Sequence, residues 1–137
     1  SVQAAVLKVK LQYLDDYCKA RQHAAETYNK AFSPRPELIV PACSASSTHV
    51  YHQYTLQVVG ADRNKLQEHL TAKDIPAMIY YPVPIHLQKA YLDPRYKAGD
   101  FPVTEKLSHC VISLPMHTEL DAEQLEYITN GVLEFFK

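Results

Sequence analysis

"HVYHQYTLQVV", residues 49–59, decides the fold class. Side chains alternate between faces along an extended chain, so Val50, His52, Tyr54, Leu56 and Val58 share one face and Tyr51, Gln53, Thr55 and Gln57 the other. That is the pattern of a strand with one buried side, and Gly60 ends it. His52 falls on the apolar face and reads as a satisfied core histidine. His49 and His52 point to opposite faces, so they cannot share a metal ion, and no Cys or acidic cluster lies near them.

Working outward, "ELIVP" at 37–41 reads as a short strand, and "PACSASST" at 41–48 as a loop of small residues. "DRNKLQEHLTAKD" at 62–74 reads as a helix with Asp62 as its N-cap. "IPAMIYY" at 75–81 is expected to supply the third strand, at an edge because of Pro76. Residues 82–101 form a long loop broken by Pro82, Pro84 and Pro94. "PVTEKLSHC" at 102–110 is a short helix with proline in its first turn. "VISLP" at 111–115 is a short strand or extended piece. In "LDAEQLEYITNGVLEFF", 120–136, Asp121 and Gln124 form a capping box, and Leu125, Ile128, Val132 and Phe135 line one face of the closing helix.

The N-terminal segment reads as one long helix over 1–32. Leu7, Leu11, Leu14, Cys18, Ala25, Tyr28 and Phe32 recur at steps of three and four, with Arg21 in the one polar slot. "SPRP" at 33–36 ends it. Two readings stand: a plain core helix, or a helix that packs across another domain or subunit. The whole is an α+β fold, a mainly antiparallel three-stranded sheet with helices packed on it.

Composition narrows the function classes. At 137 residues and a net charge of −1, the chain fits one domain and carries no basic excess for nucleic acid. No apolar run approaches the ~20 residues that span a membrane, and the charged N-terminus is not a signal peptide. Cys18, Cys43 and Cys110 are odd in number and far apart, which favours free thiols in a cytoplasmic setting. The three glycines build neither a dinucleotide fingerprint nor a P-loop. No Ser-His-Asp set, carboxylate pair or buried lysine stands out, so no catalytic residue is assigned. What remains is "MIYYPVPIHLQKAY", 78–91. Pro82 and Pro84 hold an extended backbone, and Tyr80, Tyr81, His86 and Tyr91 offer hydroxyls and an imidazole to a hydroxyl-rich or anionic ligand. A rigid loop packed on its own domain is the competing reading.

Four stretches in order, "SVQAAVLKVKLQYLDDY", "HVYHQYTLQV", "IYYPVPIHLQKAY" and "GDFPVTEKLSHCVISLPMHTELDAEQ", resemble the C-terminal part of the DegT/DnrJ/EryC1/StrS aminotransferases. "PVPIHLQKAY" followed by "SLPMHTEL" carries the resemblance best. These are fold-type I enzymes that use pyridoxal phosphate to aminate keto-sugar nucleotides for surface polysaccharide and related amino-sugar synthesis. The resemblance implies a fragment: a linking helix at 1–32, a small C-terminal α+β domain at 33–137, and an absent upstream large domain that bears the cofactor and its lysine. It implies a homodimer, an amino-acid donor, and a sugar nucleotide, UDP-linked by the nearest likeness, bound by Tyr80, Tyr81 and His86 from the neighbouring subunit. Many members read His-Tyr-Pro where this chain has Tyr80-Tyr81-Pro82, so an anionic sugar would meet hydrogen bonds there rather than a cation. The fragment alone is then expected to hold no cofactor and to be inactive. The alternative is a stand-alone sugar-nucleotide binding or dimerisation module without catalysis.

Overall fold

The computed structural model describes all of residues 1–137. Three antiparallel strands form one sheet in the order β1 (Leu38–Ile39), β2 (Tyr54–Val58), β3 (Val111–Leu114). Leu38 pairs with Val58, and Tyr54 with Leu114 through Gln57 with Val111. Helices α1 (Val2–Lys10), α2 (Leu14–Phe32), α3 (Arg63–Thr71), α4 (Pro102–Cys110) and α5 (Ala122–Glu134) complete the α+β architecture. No helix is long and apolar enough to cross a membrane.

β2 keeps the expected alternation: Tyr54, Leu56 and Val58 are buried, while Thr55 and Gln57 are half-buried. It is shorter than the sequence pattern suggests. Tyr51 adopts a left-handed backbone (φ 47°), its N–H donating to His49 Nδ1 at 2.9 Å and its ring stacking on His49 at 4.1 Å. That turn breaks the extended run before Tyr54. Val50 and His52 are therefore exposed, and His52 is not a core histidine.

The third strand is also not where periodicity put it. Within 75–81 only Met78 pairs, through Met78 N–H to Ser113 O at 2.9 Å and Ser113 N–H to Met78 O at 2.7 Å. Pro76 and Pro82 bracket this segment and have no N–H to extend a ladder. The third strand is instead β3, which pairs with the central β2 and whose four residues are all buried. A short run buried on both faces carries no alternation, which is why "VISLP" reads ambiguously by period alone.

The core lies where α2 and α5 meet and where α3 packs on α5 and β3. Ala24, Ala25, Tyr28 and Phe32 of α2 join Leu56, Leu66, Leu70, Ile112 and Val132 in one cluster. Two buried tyrosines stitch the layers by their hydroxyls. Tyr28 donates to Pro115 O at 3.0 Å and Tyr54 to Asn29 Oδ1 at 2.7 Å. Burial pushes both phenol pKa values well above their ordinary value, so they remain donors at all physiological pH. Buried Arg63 closes the far side, donating from Nη1 to Val111 O at 2.7 Å and from Nη2 to Ser108 O at 3.0 Å. The guanidinium thus satisfies carbonyls at the C-terminal end of α4, where the helix dipole favours a cation. Asp62 caps α3 and the Asp121–Gln124 capping box opens α5, both as the sequence indicates.

The N-terminal helix is not continuous. A 3₁₀ turn over Leu11–Tyr13 separates α1 from α2, with neither proline nor glycine to account for it. The two halves differ in burial: the C-terminal half of α2 is core, whereas α1 and the 3₁₀ turn bury nothing, with Leu7 of α1 and Leu11 of the turn more than 60% exposed.

This division sets an expected contrast in stability. Phe32→Ala removes a fully buried ring and should cost about 3–5 kcal/mol, whereas Leu11→Ala, at an exposed site, should stay within about 0.5 kcal/mol of the parent chain. Urea unfolding followed by circular dichroism measures both. Equal losses would mean that the turn at the end of α1 is packed in solution.

Candidate functional site

Met78 fixes where the tyrosine pair can be. Two residues beyond its bridge to β3, Tyr80 and Tyr81 leave the sheet edge with their rings edge-on, 5.7 Å apart between centroids. Tyr80 is 39% exposed and Tyr81 71%. Both face a cavity of about 280 Å³, walled by Val83, Pro84 and Ile85 on one side and by Thr104 and Leu107 of α4 on the other. Its polar groups are few and its walls largely apolar, the usual make-up of a site that takes part of a small molecule.

His86 does not enter that cavity. It sits in a 3₁₀ turn (Ile85–Leu87) and lines a neighbouring hollow of about 500 Å³ with Tyr91, Asp93, Tyr96 and Phe101. Ile85 and Thr104 border both spaces. The imidazole packs against Phe101, centroids 4.7 Å apart, and its Nε2 lies 3.0 Å from Glu105 Oε1, with only 9% of the side chain exposed. At the rim of the hollow, Arg95 forks onto Asp93, Nη2 to Oδ2 at 2.7 Å, and lies over the Tyr96 ring at 5.5 Å. The bond from Arg95 holds the Asp93 carboxyl below its ordinary range. The structure therefore brings Tyr80 and Tyr81 together and sets His86 in an adjoining space.

Glu105 is the residue that sequence reasoning missed. Its carboxylate accepts from Gly99 N–H at 2.9 and 3.0 Å and from Phe101 N–H at 3.3 Å, besides meeting His86. Phe101 is the N-cap of α4 and offers no side-chain cap, while its own backbone N–H is taken by Glu105. A carboxylate reaching back to an N-cap ordinarily stands at the third helical position. Here it stands at the fourth, after Pro102, which hid the signal. Gly99 suits the arrangement because its φ is +95°, a backbone region that costs glycine nothing.

A lysine that bonds covalently to pyridoxal phosphate is held out of solvent, and this chain carries ten lysines. All are exposed except Lys73, which is half-buried and paired with Glu134 at 2.7 Å. Such a lysine needs desolvation or a neighbouring cation to lower its pKa, and Lys73 has the opposite: the bond to Glu134 raises it. Lys89, which lines a shallow hollow with Tyr81, is open to solvent. No group of three or more His, Cys, Asp or Glu is placed to hold a metal.

The Glu105 carboxyl supplies a pH test of this geometry. Partial burial alone would raise its pKa, but the Gly99 amide, the His86 ring and the Phe101 amide together outweigh that and hold it below the ordinary range. A depressed folded-state pKa means that the carboxylate's contribution is complete above the unfolded value of about 4.3 and is lost as pH falls through the folded value. The Gly99 amide proton shift should therefore titrate with a midpoint below about 4.3. A midpoint at or above that value would show that the amide does not meet the carboxylate.

Comparison with known proteins bears on the chain as a whole. The profile of the DegT/DnrJ/EryC1/StrS aminotransferase family matches residues 1–133. Over 99% of its length the chain is 37% identical to a pleiotropic regulatory protein of Geobacillus stearothermophilus, and over 96% it is 35% identical to the UDP-N-acetyl-3-dehydro-alpha-D-glucosamine 3-aminotransferase of Acidithiobacillus ferrooxidans. It spans only 37% and 34% of those two proteins. Among solved structures, S. venezuelae DesV in complex with a ketimine intermediate superposes with a TM-score of 0.91 at 31% identity, covering 97% of this chain and 35% of that one. With sequence and backbone agreeing along nearly the whole length, the chain belongs to the DegT/DnrJ/EryC1/StrS aminotransferase family.

Proposed function

We propose that this chain is the C-terminal part of a pyridoxal-phosphate-dependent aminotransferase that aminates a keto-sugar nucleotide, with the cofactor and its lysine held by a larger part outside these residues. The observation that carries the reading is the Tyr80–Tyr81 pair, set over a cavity against α4 within a chain that matches the family from residue 1 to 133. Pyridoxal phosphate, when bound, supplies the electron sink through which an amino group passes from an amino acid to the sugar. The part of that work left to this chain is to bind and orient the substrate.

Tyr80 and Tyr81 offer phenol hydroxyls to sugar hydroxyls or to phosphate oxygens, and the apolar cavity walls exclude water around them. His86, in the adjoining hollow, completes the substrate-binding set. A UDP-linked 3-keto sugar is the favoured substrate because a relative named for one is 35% identical. A dTDP-linked sugar is the competing class, since the dTDP-3-amino-3,6-dideoxy-alpha-D-galactopyranose transaminase of Aneurinibacillus thermoaerophilus is 32% identical. The enzyme acts as a homodimer in which this loop serves the neighbouring subunit, in the cytoplasm, where Cys18, Cys43 and Cys110 stay reduced. The exposed apolar side of α1 packs on the larger part of the enzyme, since the chain spans about a third of its relatives' length.

Two experiments test this. In the longer protein that contains this chain, Tyr81→Phe should raise the KM for the sugar nucleotide about tenfold, the worth of one hydrogen bond to a charged group. An unchanged KM for UDP- and dTDP-linked substrates alike would remove Tyr81 from the site. Mixed with pyridoxal phosphate, the 137-residue chain itself should give only slow adducts that dialysis removes. A stoichiometric absorbance band that survives dialysis and vanishes with one Lys→Ala change would overturn the assignment of the cofactor to other residues.

A further inference from the structure

Residues 82–101 contain no strand and no α-helix, only two 3₁₀ turns, Ile85–Leu87 and Lys89–Tyr91. Their internal hydrogen bonds are local: Gln88 Nε2 to Val83 O, Arg95 to Asp93, and Lys97 N–H to Asp100 Oδ2. Every hydrogen bond from this segment to the rest of the protein runs to one residue, Glu105. The carboxylate takes His86, Gly99 N–H and Phe101 N–H, and the Glu105 backbone N–H donates to Phe101 O at 3.0 Å. A twenty-residue loop is thereby fastened near its start and at its end by a single side chain.

We propose that Glu105 is the positioning residue of the substrate loop, a role that rests on reading the Tyr80–Tyr81 cavity as the sugar-nucleotide site. Val83, Pro84 and Ile85 form one wall of that cavity, and Thr104 and Leu107, on the same helix as Glu105, form the other. The carboxylate therefore ties the loop wall to the helix wall through His86, one residue past Ile85. Its side chain is only 21% exposed, so water replaces the lost partners poorly if the charge is removed. Glu105 does not touch the reacting atoms. It sets the width of the cavity and the direction in which Tyr81 enters it, and a binding wall that must be ordered anew costs affinity for the substrate.

Glu105→Gln is the isosteric test. The amide keeps one acceptor oxygen, but its NH₂ now opposes the N–H donors that converge on the carboxylate. In the 137-residue chain, hydrogen exchange at Gly99 and Phe101 should quicken tenfold or more while the Met78 and Ser113 amides, which pair in the sheet, exchange as before. In the longer enzyme the same variant should raise the KM for a UDP-linked 3-keto hexosamine about tenfold with kcat within twofold, the signature of lost ground-state positioning. Exchange that quickens everywhere, or nowhere, overturns the anchoring role. Exchange that quickens at Gly99 and Phe101 with KM unchanged overturns the link to substrate. Should the unmutated enzyme turn over neither UDP- nor dTDP-linked keto sugars, the functional reading fails and the positioning role with it, while the exchange data still decide whether Glu105 holds the loop.

Discussion

Ser113 is the point on which the sheet and the site both depend. Its hydroxyl lies 2.8 Å from Thr55 Oγ1 across β2, and its backbone exchanges both hydrogen bonds with Met78 on the other side. A buried strand must satisfy both edges, because an unpaired backbone group away from water costs as much as a lost hydrogen bond. β2 satisfies one edge of β3 and Met78 part of the other. The tyrosine pair hangs from that second edge, so the position of Tyr80 and Tyr81 is inherited from the core rather than set by the loop that follows them.

The loop has the opposite character. It contributes no buried residue to the core cluster, and its aromatic side chains pack mainly on one another, Tyr96 on Phe101 at 5.4 Å and His86 on Phe101 at 4.7 Å. Order in such a segment comes from a few fastenings instead of from burial. Concentrating them on one carboxylate leaves the rest of the segment without a hydrogen bond to the body of the fold. The same economy appears at Arg63, where one guanidinium satisfies carbonyls at the junction of α4 and β3. α4 is thus held at both ends by a buried or half-buried ionic side chain, and it carries one wall of the cavity between them.

α1 shows how far the described residues go as a self-sufficient unit. The four core residues of α2 begin at Ala24, more than three turns past the 3₁₀ break, and nothing N-terminal to them is buried. An exposed stripe with Leu7, Leu11 and Leu14 is larger than scattered surface apolar residues usually make. It fits a chain that spans about a third of the length of its relatives.

By itself the sequence determined the fold class, the helix ends and the family. Alternation over 54–58, the Asp62 cap, the Asp121–Gln124 box and the proline-initiated α4 are local signals, and local hydrogen bonding and sterics are enough to read them. It also marked Tyr80 and Tyr81, because side chains adjacent in sequence on a proline-stiffened segment stay adjacent in space. Only the tertiary structure decided which segment became the third strand, since Val111–Leu114 pairs with β2 while Met78 only bridges to Ser113, and burial of all four β3 residues erases the period. Only the tertiary structure placed His52 in solvent, through the left-handed turn at Tyr51, and His86 against Glu105 rather than in the tyrosine cavity. The Glu105 hub was illegible for the same reason: beyond Phe101, its partners Gly99 and His86 lie 6 and 19 residues away, separations that no helical or strand period encodes, and they meet only because α4 and the loop fold onto one another.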